Sequence, residues 1–184
     1  MAEESQHEDP EARARQVCLR LLTLAPRTRA QLGDALKKRG IPDEVADEVL
    51  SRFSDVGLID DAAFAKAWVE SRHYGRGLSA RALRAELRQR GVDDGQIRDA
   101  VDQLGPDAEV ETARLLVRRK LVATQGQPPE ARTRRLAGML ARKGYPPGLA
   151  FRVIREALEA EGIEAEGIEA VGPEAPLDDD LCVE

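Results

Sequence analysis

Residues 57–92 read GLIDDAAFAKAWVESRHYGRGLSARALRAELRQRGV, and this stretch decides the fold of the chain. It predicts two helices joined by a short basic connection. Phe64 and Trp68 stand four residues apart in the first helix, and Leu83 and Leu87 stand four apart in the second. This spacing places each pair on one helix face, so we expect all four side chains in a hydrophobic core. The alternative for the two aromatic rings is a stacking platform for nucleic-acid bases.

The residues at the ends of both helices support this prediction. Asp60 and Ser79 are residue types that cap helix N-termini, because their side-chain oxygens accept hydrogen bonds from free backbone N–H groups. Gly75 and Gly77 are expected to break the first helix, and Gly91 to end the second. The stretch therefore contains its own start and stop signals.

Seven short motifs follow one another in this region. They are Gly57-Leu58-Ile59-Asp60-Asp61, Phe64-Ala65, Trp68-Val69, Arg72, Gly75-Arg76-Gly77, Glu86-Leu87 and Arg90-Gly91-Val92. In these motifs the chain resembles the RecX family, the regulators of the RecA recombinase. A weaker resemblance extends from about Ala12 to Leu158. The FAxxW box occurs only in the middle of the chain, which puts in question whether all parts bind a partner alike.

A repeat organises the rest of the chain. Its three copies are Leu32, Leu36, Gly40, Ile41 and Val45; Leu83, Leu87, Gly91, Val92 and Gln96; and Leu136, Leu140, Gly144, Tyr145 and Leu149. The glycines are separated by 51 and then 53 residues, a near-constant period that indicates an array of supersecondary units. We therefore predict an all-α fold, an elongated array of three tandem three-helix units with about nine helices.

The predicted boundaries follow the proline, glycine and charge patterns. They are a disordered acidic N-terminus at 1–11, three-helix units at 12–55, 56–105 and 106–160, and a disordered acidic tail at 161–184.

The net charge of −6 conceals a strong asymmetry in how charge is distributed along the chain. Residues 12–158 hold all 28 Lys and Arg but only 19 of the 34 acidic residues, a net charge of +9. A basic body suggests a polyanionic or acidic partner. The tail is either a solvated end or an internal polyanion that competes for the basic surface.

No constellation for catalysis or metal binding is visible in the sequence. P-loop, HExxH and GxSxG motifs do not occur, and His7 and His73 are the only histidines. We expect no enzyme activity, no cofactor and no metal, and a solvated His73 at a helix end.

Cys18 lies in an apolar run and is expected to be buried. Without an apolar run long enough to span a bilayer and without a signal peptide, we expect a cytoplasmic protein.

Basic side chains are the candidates for binding, because the guanidinium group suits phosphate and carboxylate. The candidates are Arg72, Arg76, Arg81, Arg84, Arg88, Arg114, Arg118, Arg119, Lys120, Arg132 and Arg135. Arg134, Arg142 and Lys143 are further basic residues of the last unit. Arg90 is discounted, because Glu86 stands four residues before it and can pair with it.

The three-unit repeat suggests a monomer. The resemblance implies a protein that lies in the groove of the RecA–single-stranded-DNA filament. It implies inhibition of the recombinase, ATPase and co-protease activities of RecA, in recombination, DNA repair and the SOS response. The residues alone leave two alternatives open. One is a general DNA-binding or architectural helical-repeat protein without a recombinase partner, possibly one that binds single-stranded DNA. The other is a helical adaptor whose positive surface is only solvated.

Overall fold

The computed structural model describes residues 9–162, and this part of the chain is helical throughout. Nine α-helices and one 3₁₀ turn (Val122–Thr124) make up its secondary structure, with no strand in the described range. The helices are α1 (Pro10–Leu24), α2 (Arg29–Lys37), α3 (Asp43–Asp55), α4 (Asp61–Arg76), α5 (Ala80–Gln89), α6 (Asp94–Asp102), α7 (Pro106–Leu121), α8 (Pro129–Arg142) and α9 (Pro147–Glu159). The predicted all-α class is confirmed.

The helices form three modules of three, each with its own hydrophobic core. The α1–α3 core includes Cys18 and Phe53, the α4–α6 core includes Val69 and Ile97, and the α7–α9 core includes Ile154. Cys18 is fully buried, as predicted, and this burial raises the pKa of its thiol. Each module buries mostly Leu, Val, Ile and Ala, which explains how a chain with only 3% aromatic residues sustains three cores.

The predicted repeat is visible in the backbone. In α2, Leu32 and Leu36 are fully buried, and Gly40, three residues after the last residue of the helix, has a φ of 71°. The N–H of Ile41 then donates to the carbonyl of Leu36 at 3.2 Å. The equivalent bonds of the other modules join Val92 to Leu87 at 3.2 Å and Tyr145 to Leu140 at 3.1 Å. This is the Schellman arrangement, in which a left-handed residue lets the chain satisfy the last free carbonyls of the helix.

Side-chain caps begin α2, α4, α5 and α6, and they confirm the caps predicted at Asp60 and Ser79. The hydroxyl of Thr28 accepts from the N–H of Gln31, whose side chain in turn accepts from the N–H of Thr28, a complete capping box. The carboxylate of Asp60 caps α4 at 2.8 Å, and the hydroxyl of Ser79 caps α5 at 3.2 Å. The carboxylate of Asp93 caps α6.

The described residues divide into two compact units, and the division falls within α7, between Thr112 and Ala113. The first unit contains the α1–α3 and α4–α6 modules. These two modules are joined by two hydrogen bonds: the Thr28 hydroxyl donates to the carbonyl of Arg90 at 2.6 Å, and the Arg29 N–H donates to Asp61 at 2.9 Å. The unit boundaries predicted from the sequence, and the elongation of the array, stay predictions.

One local prediction was wrong. Gly75 does not break α4, because the helix continues to Arg76 and ends at Gly77 with a φ of 65°. The predicted disordered N-terminus and acidic tail fall largely outside the described residues, although Glu161 is described.

His73 is a further correction, because it is fully buried rather than solvated. Its Nδ1 lies 2.9 Å from the carbonyl oxygen of Leu78, and its Nε2 lies 2.9 Å from the hydroxyl of Thr112. Since a carbonyl only accepts, Nδ1 carries the proton. The ring thus ties the end of α4 to α7 within the first compact unit. A nucleic-acid contact through this ring is therefore not available.

Candidate nucleic-acid and partner interface

The arginines of α5 point away from its core side chains, as the spacing predicts. Leu83 and Leu87 are fully buried, whereas Arg81 and Arg88 are exposed and Arg84 is half-exposed. Arg84 Nη2 lies 3.5 Å from Asp102 and Arg88 Nε lies 2.7 Å from Asp94. Two of the three positive charges are therefore partly neutralised by acidic residues of α6.

Changing Arg81, Arg84 and Arg88 together to alanine is expected to leave the melting temperature nearly unchanged. Exposed ion pairs contribute only about 0–1 kcal/mol, so the loss of two such pairs has little effect on folding. If this face contacts the RecA filament that the resemblance implies as a partner, the inhibition of ATP hydrolysis expected from that resemblance should fall in a coupled ATPase assay. Full inhibition by the folded triple variant would place the contact elsewhere.

A second cationic cluster surrounds Trp68. The Arg72 guanidinium carbon lies 4.2 Å from the indole centroid, and that of Arg90 lies 3.6 Å from it, within cation–π distance. Glu86 accepts the indole N–H at 2.8 Å and lies 4.0 Å from Arg72. The expected Glu86–Arg90 pair is thus replaced by a contact of Arg90 with the ring, a contact that helical spacing alone does not predict.

Phe64 and Trp68 are neither fully enclosed core side chains nor a fully exposed stacking platform for bases. Their rings are stacked, with centroids 5.7 Å apart and an interplanar angle of 15°. Both side chains are half-buried and pack against the α4–α6 core without being enclosed by it. Arg76, the remaining candidate of α4, is exposed in the last turn.

The candidates on α7 differ in what they contact. Arg114 Nε and Nη2 lie 3.1 Å and 3.0 Å from the same carboxylate oxygen of Glu156, so this residue links α7 to α9. Arg118, Arg119 and Lys120 form a run of exposed cations at the C-terminal end of the helix. Cations are favourable there, because the last turn carries the negative end of the helix dipole.

A groove between α7 and α8 collects positive charge in the second compact unit. Its volume is about 580 Å³, and four cations line it: Lys120, Arg134, Arg135 and Arg142. Ala123, Gly138 and Met139 complete the lining, so it contains no carboxylate. None of these four cations is ion-paired to another residue in the described part of the chain. This groove is the strongest candidate for phosphate contacts.

Arg132 does not belong to this surface, although its position in the sequence suggested a contact. Its side chain is buried, 3% exposed. Its Nε donates to the Thr124 hydroxyl at 3.1 Å, and its Nη2 donates to the carboxylate of Glu161 at 2.6 Å. Arg132 therefore joins α8 to the 3₁₀ turn and to the residues that follow α9. Its guanidinium is not accessible to a partner.

Changing Arg132 to alanine is expected to lower the free energy of unfolding by about 3 kcal/mol. This is the low end of the range for breaking a buried ion pair, because Glu161 is partly exposed and regains water. Arg135→Ala, a neighbouring exposed position, is the matched control and should change stability by no more than about 0.5 kcal/mol. Urea denaturation of both variants measures the difference. Equal stability of the two would contradict the structural role of Arg132.

Among the described residues, no group of three or more His, Cys, Asp and Glu side chains is placed to hold a metal ion. No described helix combines the length and apolar composition required to cross a membrane.

Three family models match the chain, one for each module. They are the first three-helix domain of RecX at residues 14–53, the second at 60–101 and the third at 107–154. The chain is 67% identical over 155 residues to the regulatory protein RecX of Thermobifida fusca, covering 84% of each chain. It is 49% identical over 163 residues to the regulatory protein RecX of Mycolicibacterium smegmatis, covering 85% of this chain and 87% of that relative.

Solved structures support the same fold. The crystal structure of RecX from Lactobacillus salivarius is similar with a TM-score of 0.72 at 20% identity, covering 80% of this chain and 96% of that one. A second crystal structure of a regulatory protein RecX has a TM-score of 0.69 at 26% identity, with 80% and 72% covered. With its three matched domains and these close relatives, the chain belongs to the RecX family of regulatory proteins.

Proposed function

We propose that this protein binds the RecA–single-stranded-DNA filament and inhibits the recombinase, ATPase and co-protease activities of RecA. The observation that carries the proposal is the α7–α8 groove, where four cations converge that have no ion-pair partner and no lining carboxylate among the described residues. The relatives are named regulatory proteins, and the resemblance to their family supplies RecA as the partner. The protein acts by binding rather than by catalysis, as a monomer in the cytoplasm, in recombination, DNA repair and the SOS response.

The chemistry of the groove suits a nucleic-acid backbone. Arginine and lysine side chains neutralise phosphates and release condensed counterions, which makes binding strong at low salt and independent of base sequence. The apolar Met139 beside these cations can contact a sugar or a base. Because the partner filament is periodic, a chain of three similar modules can contact it at successive positions.

The second candidate function is general binding of single-stranded DNA without RecA. The same groove supports it, since phosphate contacts do not require a protein partner. The two functions differ in whether RecA contributes to the affinity.

Binding measured by fluorescence anisotropy separates the two functions. The protein is titrated against a labelled single strand, bare or coated with RecA and a slowly hydrolysed ATP analogue, at the same salt concentration. We expect tighter binding to the filament. Equal affinity for both would favour the second candidate, and no binding to either would contradict both.

A further inference from the structure

The cationic cluster around Trp68 has an excess of positive charge that the α4–α6 module does not neutralise. Arg72 and Arg90 lie over one indole ring, 4.2 Å and 3.6 Å from its centroid. The carboxylate beside them, Glu86, already accepts the indole N–H and contacts Arg72. The site is half-buried, and its one carboxylate contacts Arg72 but forms no ion pair with Arg90 among the described residues.

A third arginine reaches this cluster from the α1–α3 module. The connection between α1 and α2 is held against the end of α5, because the Thr28 hydroxyl donates to the Arg90 carbonyl at 2.6 Å. Arg27 directly precedes Thr28, and its Nε is buried without a hydrogen-bond partner among the described residues. A buried donor without a partner costs about 1–3 kcal/mol, and this cost is recovered when the Arg27 side chain turns the donor towards an acceptor that a ligand supplies.

The electrostatics agree with this geometry. Burial lowers the pKa of the Arg90 guanidinium, Glu86 raises it, and the positive charges of Arg72 and Arg27 lower it further. Arg27 is therefore close enough for its charge to act on Arg90. Arginine side chains carry a positive charge in proteins. Three positive charges face one negative charge, and the cluster carries a net charge of +2.

We propose that Arg27, Arg72 and Arg90 form a phosphate-binding site beside Trp68, at the junction of the α1–α3 and α4–α6 modules. A phosphate offers several oxygens, which suits the planar donor edges of guanidinium groups. Base stacking is not the basis of recognition, because the indole already contacts Phe64 and two guanidinium groups. The site binds a phosphodiester of a nucleic acid or the phosphates of a free nucleotide. It does not depend on RecA as the partner, nor on the α7–α8 groove.

Trp68 is the only tryptophan of the chain, so its fluorescence reports directly on this site. The full-length protein is titrated at fixed ionic strength with pyrophosphate, with ATP and with an oligothymidylate, with excitation selective for tryptophan. We expect a saturable change in Trp68 fluorescence. A response to the oligonucleotide alone identifies a phosphodiester as the ligand, and a response that includes pyrophosphate or ATP identifies free phosphates.

Arg27→Gln is the decisive variant, because it removes the unpartnered donor without touching the indole. We expect its affinity to fall roughly tenfold or more, with no loss of thermal stability, since the donor that it removes makes no hydrogen bond among the described residues. Arg20→Gln, an exposed position on α1, removes the same charge and should bind as the wild type does. A variant with glutamine at all four groove cations should keep the Trp68 response even where filament inhibition is lost.

Four results would overturn the phosphate site. The first is the absence of a saturable change with all three probes. The second is wild-type affinity in Arg27→Gln, and the third is loss of the response in the groove variant. The fourth is a response to a polyglutamate peptide but to none of the phosphate probes, which would assign the cluster to a carboxylate-bearing protein partner.

Discussion

Replacing Gly91 by alanine is expected to lower the free energy of unfolding by about 2–5 kcal/mol. Gly91 has a φ of 75°, and a left-handed conformation costs an alanine about 1–2 kcal/mol. An added Cβ would also lie 2.3 Å from the Cβ of Ala30, so the backbone of α2 or of the α5 end must move. Such overpacking costs a further 1–3 kcal/mol or so.

Gly40 provides the matched control, because it ends α2 in the same way with a φ of 71° but has no atom within 4 Å of a built Cβ. Gly40→Ala should therefore lose only about 1–2 kcal/mol, the conformational part of the effect. Urea denaturation of both variants gives the comparison. Equal losses would show that the α1–α3 and α4–α6 modules do not approach each other at Ala30 as described.

Changing all four groove cations, Lys120, Arg134, Arg135 and Arg142, to glutamine is expected to weaken binding to the RecA filament roughly 10- to 100-fold. Exposed ion pairs contribute about 0.2–1 kcal/mol each, and four of them are removed. On bare single strands, the slope of log K against log salt should also decrease by roughly 3, about 0.7 for each lost phosphate contact. Stability should change little, since the four side chains make no ion pair within the described structure.

A second fourfold variant controls for net charge. Arg13 and Arg20 of α1 and Arg152 and Arg155 of α9 are exposed, and changing them to glutamine removes the same charge from other surfaces. We expect this variant to bind and inhibit much as the wild type does. If both variants lose affinity equally, binding depends on the overall charge of the basic body and not on the groove.

Much of the fold could be predicted from the sequence because its determinants are local. The capping box at Thr28 and Gln31 involves residues three apart. The spacing of Leu32, Leu36 and Gly40 recurs in each module with the same buried leucines and the same terminal turn. Patterns of this kind are set by helical periodicity and by backbone conformation, which one sequence displays directly.

The predictions that were wrong concern residues whose environment is made by distant parts of the chain. His73 is buried because Thr112, 39 positions later, lies against its ring. Arg132 is buried because Glu161, 29 positions later, accepts from it. From the sequence, both residues look the same as solvent-exposed ones, because the neighbouring residues do not indicate the distant partners.

The candidate site was predicted only in outline for the same reason. The excess of arginine in residues 12–158 is evident from counting. Which of these arginines lie together on one surface depends on how the helices pack. Arg134 and Arg142 of α8 meet Lys120 of α7 only in the folded module. Arg27 gave no signal at all, because its significance comes from its position against the end of α5.

The rate of ATP hydrolysis by RecA on single-stranded DNA, measured as this protein is added, tests the central claim most directly. The account predicts that hydrolysis falls as the wild-type protein is titrated in, and that it falls much less with the variant lacking the four groove cations. An unchanged rate at protein concentrations that saturate the single-stranded DNA would contradict it.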